Sequence, residues 1–266
     1  MGLPAPSAST AALVTGASSG IGVDLARELA GRGQNVVLVA RRADRLEALA
    51  GELAAAHGVR AEALSADLLD PAAVSALPGR VAALGLDVSI LINNAGYGSA
   101  GQFVDLDGQV ESDMVRLNCE AVVALSSAYA PGMVEREAGA ILVVASSAAM
   151  QPLPGQATYA ASKAFALSFA EALHTELSHR GVAVTALCPG PVDTEFAERA
   201  GMTEAFAAVP SFARVAPEDC AKAAIDGLAA NRRVVVPGLA IKAATTSSRY
   251  TPHAVLLPLL KRFYPV

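Results

Sequence analysis

The chain has no tryptophan, three cysteines among 266 residues and only 5% aromatic side chains. Cys119, Cys188 and Cys220 lie far apart and in no metal-like spacing, which argues against a disulfide-stapled or zinc-organised fold and leaves reduced thiols. Charge is scarce as well, at 17% of residues, and the lysines and arginines are scattered rather than gathered in a stripe. With a net charge of −5 this gives no electrostatic footprint for nucleic acid. The four histidines add no metal site, since His174 and His179 are five apart and do not share a helical face as ligands would. Long hydrophobic runs are missing: the apolar stretches at 36–40, 141–145 and 254–260 fall far below the roughly 20 residues that span a bilayer, so no transmembrane segment is expected. The first ten residues, a Pro/Ala/Ser arm expected to be flexible, lack the basic and apolar regions of a secretion signal, and a cytoplasmic protein is expected.

Small and aliphatic residues are what the chain has in quantity. It is 53% hydrophobic and rich in Ala, Gly and Val, the composition of a sheet buried on both faces. Its length suits one α/β domain with a large core. From residue 10 onward, short β-branched runs alternate with longer helical patterns. Strands are expected at 12–15, 35–40, 60–64, 89–93, 140–146, 183–188 and 234–236. Helices are expected at 21–31, 42–57, 71–84, 107–136, 158–179 and 217–230, with Pro131 bending or shortening the fourth. Such alternation implies a seven-stranded parallel sheet with helices on both faces, a three-layer sandwich.

The first strand-to-helix turn reads Thr15-Gly16-Ala17-Ser18-Ser19-Gly20-Ile21-Gly22. Glycines here let the chain turn sharply and approach a pyrophosphate with no Cβ in the way, while the free N–H groups and dipole of the helix start attract the anion. The place of the turn, between a strand and a helix, points to dinucleotide binding rather than a tight turn alone. At the end of the second strand, Ala40 stands where an NAD site usually carries an acid for the ribose 2′-hydroxyl, and Arg41-Arg42 follows. Guanidinium groups pair with a phosphate through planar, bidentate bonds, so NADP(H) is the expected cofactor. Asp67-Leu68 after the third strand either frames the adenine or, in the case of the Asp, caps a turn before Asp70-Pro71. Asn93-Asn94-Ala95-Gly96 after the fourth suits either close approach to a ribose or a turn fixed by Asn and Gly. Tyr159 and Lys163, four apart, share one helical face. An ammonium beside a phenol favours the phenolate and would bring Tyr159 toward the working pH.

Taken together, Thr15 to Gly22, Asn93 to Gly96, Asn118, Ser146, Tyr159-x-x-x-Lys163 and Pro189-Gly190 resemble, in order and spacing, the short-chain dehydrogenases/reductases over residues 11–236. The resemblance implies a Rossmann-like fold, hydride transfer between NADP(H) and a carbonyl or alcohol, and a tetrad of Asn118, Ser146, Tyr159 and Lys163. In that scheme Tyr159 is the general acid, Ser146 holds the substrate oxygen, Lys163 bonds the nicotinamide ribose and lowers the Tyr159 pKa, and Asn118 positions a water on a proton path. Ser147 competes for the serine role, but the family spacing, thirteen before the tyrosine, falls on Ser146. Pro189, Gly190 and Val192 would wall the nicotinamide, with Thr194 near its carboxamide. A dimer or tetramer through the helices at 107–136 and 158–179 is implied as well.

The substrate side begins at 193–217, where Phe196, Met202, Phe206 and Phe212 suit either a lid over a greasy substrate or a short helix packed on the core. Tyr97, Gln151 and Leu153 are further expected pocket neighbours. An apolar, Pro-interrupted extension at 239–266 is similar to the tails of mycobacterial-type reductases of long-chain 3-oxo acyl (mycolate-precursor) lipids, which implies a bulky or lipid-like ketone. The same tail also suits a subunit contact, or a membrane surface through Lys261-Arg262 beside aromatics. An NADPH-dependent carbonyl reductase is the reading these residues favour. Its rivals are an alcohol dehydrogenase working oxidatively, a catalytically silent NADP(H) sensor, and a structural partner in a lipid-synthesis complex.

Overall fold

A computed structural model describes residues 2–251 and 253–263, without the side chains of residue 205 and of part of 244–263. Seven strands form one parallel sheet: β1 (Thr10–Thr15), β2 (Asn35–Ala40), β3 (Ala61–Ser65), β4 (Asp87–Asn93), β5 (Gly139–Val144), β6 (Val182–Leu187) and the two-residue β7 (Val234–Val235). Their order, β3-β2-β1-β4-β5-β6-β7, reverses direction between β1 and β4. Ligands of open α/β sheets bind at such a switch point, outside the carboxyl ends of the strands. Strands such as Val36-Val37-Leu38-Val39 carry apolar side chains on both faces and are buried throughout, so each face needs its own cover. Leu13, Val37, Leu91, Ile141 and Val184 face one layer, with Leu125 and Met133 from the helices. Val14, Leu38, Ile92, Leu142 and Leu187 face the other, with Leu25, Leu46 and Ile225.

The helices are α1 (Ile21–Gly31), α2 (Ala43–His57), α3 (Pro71–Ala83), α4 (Gly108–Val115), α5 (Ala121–Glu135), α6 (Ala157–Leu177), α7 (Phe196–Arg199), α8 (Thr203–Ala207), α9 (Pro217–Ala229), α10 (Leu239–Tyr250) and α11 (His253–Phe263). Asp70 caps α3 by accepting from Ala72 N at 2.9 Å, and Pro71 follows at the first helical position, where its missing N–H costs nothing. One boundary departs from the sequence reading in a way that matters. The helix expected at 107–136 is broken into α4 and α5 by a π-helical turn at Arg116–Glu120, whereas Pro131 lies inside α5. Single π turns re-aim side chains and are frequent at functional sites, and this one carries Asn118.

The N-terminal arm is tied to the α1–β2 turn, where Gln34 Nε2 donates to Pro4 O at 2.7 Å and Asn35 Nδ2 to Ser7 O at 2.9 Å. The tail, read only as apolar segments, forms α10 and α11, with Leu256 and Leu260 buried while Val255 and Leu257 face outward. The side chains at 261–264, the basic–aromatic stretch, lie outside the described residues.

Candidate active site

β5 ends at Val144, and the chain leaves it through Ser146 into a short 3-10 turn, Ser147–Met150. Ser146 Oγ accepts from Ala148 N at 3.1 Å, which fixes the hydroxyl at the carboxyl end of the sheet. Ser147 is engaged by its main chain, donating N–H to Pro189 O at 2.8 Å, so the exits of β5 and β6 are sewn together. α6 then presents Tyr159, Ser162 and Lys163 on its buried face. Burial pushes the Tyr159 phenol up to about 12, and the Ser146 hydroxyl pulls the other way through a hydrogen bond. Lys163 is 5% exposed; loss of solvation lowers its ammonium to about 8, against weaker upward pulls from Cys119 and Cys188.

The two side chains do share a face, as their spacing requires, but they are not in contact through their polar ends. Lys163 Nζ donates to Val144 O at 2.8 Å and lies 6.0 Å from the centroid of the Tyr159 ring. The pull toward phenolate expected of Lys163 is thus supplied here by Ser146, because the ammonium is turned onto a strand carbonyl. Asn118 Nδ2 donates to Tyr97 O and to Ser162 Oγ, both at 3.0 Å, and Oδ1 accepts from Tyr97 N at 3.3 Å. Asn118 therefore clamps the loop after β4 to α6. Gly96 is what lets that loop come so near, since a Cβ there would stand 2.7 Å from Asn118 Oδ1 and 3.3 Å from Lys163 Nζ.

The glycine-rich turn lies beside this cluster, between β1 and α1. Gly20 takes the N-cap position with φ of 60° and provides no side-chain cap; the Val23 N–H turns back to Gly20 O at 3.0 Å, and the N–H groups of Ile21 and Gly22 open the helix toward an anion. Gly22 packs where a Cβ would come within 2.5 Å of Asn94 Nδ2. Asn94 itself buttresses the turn, donating Nδ2 to Thr15 O at 2.8 Å while its N–H reaches Thr15 Oγ1 at 2.9 Å. Arg42 caps the edge of the cradle with bonds to Ser18 Oγ at 2.9 and 3.1 Å and to Ser18 O at 3.0 Å. Arg41 is exposed beside it at the end of β2. These features fit a dinucleotide carrying an extra phosphate on its adenosine ribose: glycines along the pyrophosphate line, an uncapped helix start and a fixed guanidinium at the second strand.

On the substrate side, Tyr97, Leu153 and Phe196 gather with Met114 and Ala148 around Tyr159. The Phe196 and Tyr159 rings lie 5.6 Å apart at 47°, a favourable tilted aromatic contact. Phe196, Met202, Phe206 and Phe212 do not act as one stripe. Met202 Sδ receives a hydrogen bond from Gln156, Phe206 lies under the Arg214 guanidinium at 4.7 Å, and Phe212 is 79% exposed. Thr194 begins this segment against Gly20, whose added Cβ would be 3.4 Å from Thr194 Cβ. Val192 is buried and bridges to Val215, closing the segment on itself. At Gly190 a Cβ would meet Ile241 at 2.6 Å, so α10 packs over the Pro189-Gly190 wall.

The family model for short chain dehydrogenase matches residues 10–205. The chain is a short-chain dehydrogenase. A very-long-chain 3-oxoacyl-CoA reductase of Phaeosphaeria nodorum is 33% identical to this dehydrogenase over 258 residues, covering 96% of this chain and 72% of the relative. Among solved structures, a short-chain dehydrogenase from Sphingobium yanoikuyae in complex with NADPH is 37% identical with a TM-score of 0.81, over 90% of this chain and 91% of that one. The bulky-bulky ketone specific alcohol dehydrogenase from Comamonas testosteroni is 29% identical with a TM-score of 0.75, over 92% and 96%.

Ser146, Tyr159, Lys163, Asn118 and Gly96 lie together at the carboxyl ends of the strands, and among the described residues Asp67, Leu68 and Gln151 make no side-chain hydrogen bond with them. Asp67 Oδ1 accepts from Leu69 N at 3.0 Å, which makes it a turn cap. Leu68 is buried in the core. Gln151 follows the 3-10 turn in extended conformation and is half-buried. Sequence reasoning missed Gln156, Gly98 and Glu195. Gly98 is wedged where a Cβ would come within 3.0 Å of both Phe196 and Tyr159, and no motif announces it. Glu195 is one residue from the expected Thr194, and only its place beside Arg42, which precedes α2, and Arg45 in the first turn of α2 reveals it.

Proposed function

We propose that the chain is an NADPH-dependent reductase that converts a bulky or lipid-like ketone to a secondary alcohol. The observation that carries this reading is the buried Ser146–Tyr159 pair with Lys163 and Asn118 behind it, at the mouth of a glycine-lined cradle whose rim holds Arg42. Gly16, Ser18, Ser19, Gly20, Ile21, Gly22, Ala95 and Gly96 would hold the dinucleotide, Arg41 and Arg42 its 2′-phosphate, and Pro189, Gly190, Val192 and Thr194 the nicotinamide side. When bound, the cofactor supplies the hydride. Ser146 would hold the ketone oxygen, and Tyr159 would deliver a proton to it as negative charge develops. Burial holds the phenol in its protonated form at neutral pH, so Tyr159 carries the proton that the ketone oxygen would receive, and the Ser146 hydroxyl draws its pKa back down. Lys163, lowered to about 8, can gain and lose a proton near neutral pH and would resupply Tyr159.

The apolar cluster of Met114, Leu153 and Phe196 beside Tyr159 supports a greasy substrate, as do the ketones named for the fungal and Comamonas relatives. We place the enzyme in the cytoplasm, a reading that rests on cysteines joined in no disulfide among the described residues, and no described helix is long and apolar enough to cross a membrane. A homodimer or homotetramer would use the outward face of the π turn and neighbouring helices, where Val115, Val123 and Phe165 are exposed around a shallow groove. Steady-state NADPH oxidation with a panel of small ketones, bulky ketones and long-chain 3-oxoacyl thioesters tests the reading. Turnover should be highest on the bulky members; tight NADPH binding with no turnover on any of them would make the protein a sensor.

A further inference from the structure

Glu195 joins the segment over the substrate side to the part of the fold that reads the cofactor. Its carboxylate accepts from Arg45 Nη1 at 2.9 Å and from Arg199 Nη2 at 2.6 Å, and it lies 3.5 Å from Arg42 Nη1. Arg42 is the same side chain that grips Ser18 in the glycine-rich turn, Arg45 stands in the first turn of α2, and Arg199 closes α7. Three guanidinium groups are thus drawn to one spot, where each raises the cost of keeping the others charged; burial first, and then Arg199 and Arg45, push the Arg42 pKa down, while Glu195 pulls it up. Among the described residues Glu195 is the carboxylate ion-paired with all three. All four side chains are partly exposed, so a stronger anion can displace the carboxylate without unfolding anything.

We infer that Glu195 is an intramolecular competitor for the 2′-phosphate of NADPH, setting how strongly the enzyme prefers NADPH over NADH. The inference rests on the reading that Arg42 meets that phosphate. A phosphate dianion offers more charge and more acceptor oxygens than one carboxylate, so NADPH displaces Glu195 from Arg42 and Arg45 while NADH leaves it in place. Part of the NADPH binding energy is then used to break the ion pairs. Because Glu195 precedes α7, the same displacement frees the leading end of the 193–217 segment next to Thr194.

Glu195→Gln keeps the shape and removes the charge. Titration of NADPH and of NADH into the full-length protein at one fixed ionic strength, read by cofactor fluorescence, gives both dissociation constants. NADPH should bind roughly three- to fivefold tighter, the range expected when a partly exposed ion pair no longer has to be broken, with NADH unchanged. Unchanged or weaker NADPH binding, or an equal gain for both cofactors, would overturn the inference. Arg42→Gln, measured alongside, separates the two layers. Loss of NADPH affinity alone in Arg42→Gln with no gain in Glu195→Gln defeats only the competitor; no NADPH-selective loss in Arg42→Gln defeats the 2′-phosphate reading as well.

Discussion

Lys163 is held against its own chemistry, and replacing it with Met separates what the site costs from what it does. Its ammonium ordinarily titrates near 10.5, and burial brings it to about 8. Each pH unit of that difference is worth about 1.36 kcal/mol, so the folded protein gives up roughly 3 kcal/mol to keep this lysine charged at neutral pH. Below about pH 8 both the folded and unfolded chains hold the proton, and this group contributes no slope. Between about 8 and 10.5 the unfolded chain keeps the proton while the folded chain has released it, so stability rises with pH. Above that window both are neutral and the cost is gone. Lys163→Met removes the titration while keeping much of the volume, although Val144 O loses the bond it accepts at 2.8 Å. That loss is the same at every pH, and it cancels when the gap between variant and wild type is compared across pH. Urea unfolding at fixed protein concentration, at several pH values from about 7 to 10.5, should show the wild type gaining on the variant by roughly 3 kcal/mol. The variant should also be inactive. A gap that stays constant over the whole range would refute the depressed lysine and the proton relay built on it.

Tyr159→Phe removes only the acidic hydroxyl and should cut turnover by roughly 10²- to 10⁴-fold while leaving NADPH affinity intact, as steady-state rates and a cofactor titration would show. Reduction should slow as pH rises past about 8, where Lys163 loses its proton, and a pH profile of kcat/KM flat through about 10 would exclude Lys163 from resupply. Gly96→Ala puts a methyl 2.7 Å from Asn118 Oδ1, so turnover should fall far more than thermal stability, as parallel melting and rate measurements would reveal. Arg41→Asp should shift preference from NADPH toward NADH; an unchanged ratio of kcat/KM for the two cofactors would mean that the exposed Arg41 takes no part in recognition.

The seven parallel strands were legible because buried parallel strands need continuous apolar runs, and runs such as Val36 to Val39 have no other easy reading, whereas their order in the sheet was not, since apolar runs do not say which strand lies beside which. The groove was legible through residues whose type is dictated by backbone geometry or proton chemistry, as at Gly22, Gly96, Ser146, Tyr159 and Lys163. The π turn at Asn118 was not, since widening a helix by one residue leaves the apolar periodicity nearly intact. Nor was the direction of Lys163 Nζ: four-residue spacing puts two side chains on one face but says nothing about the Val144 carbonyl waiting behind. At Asp67 the sequence allowed two readings, and the structure shows the turn cap, with Oδ1 accepting from Leu69 N. Glu195 belongs to a third kind, a surface charge whose meaning comes only from the three arginines that the fold brings to it.

The central claim is that this site reduces a ketone with NADPH while Tyr159 delivers the proton. Its most direct test is to count product: the alcohol formed from a bulky ketone should equal the NADPH consumed by the wild-type enzyme, and both should fall together in Tyr159→Phe. Alcohol formation by Tyr159→Phe at the wild-type rate would contradict the account.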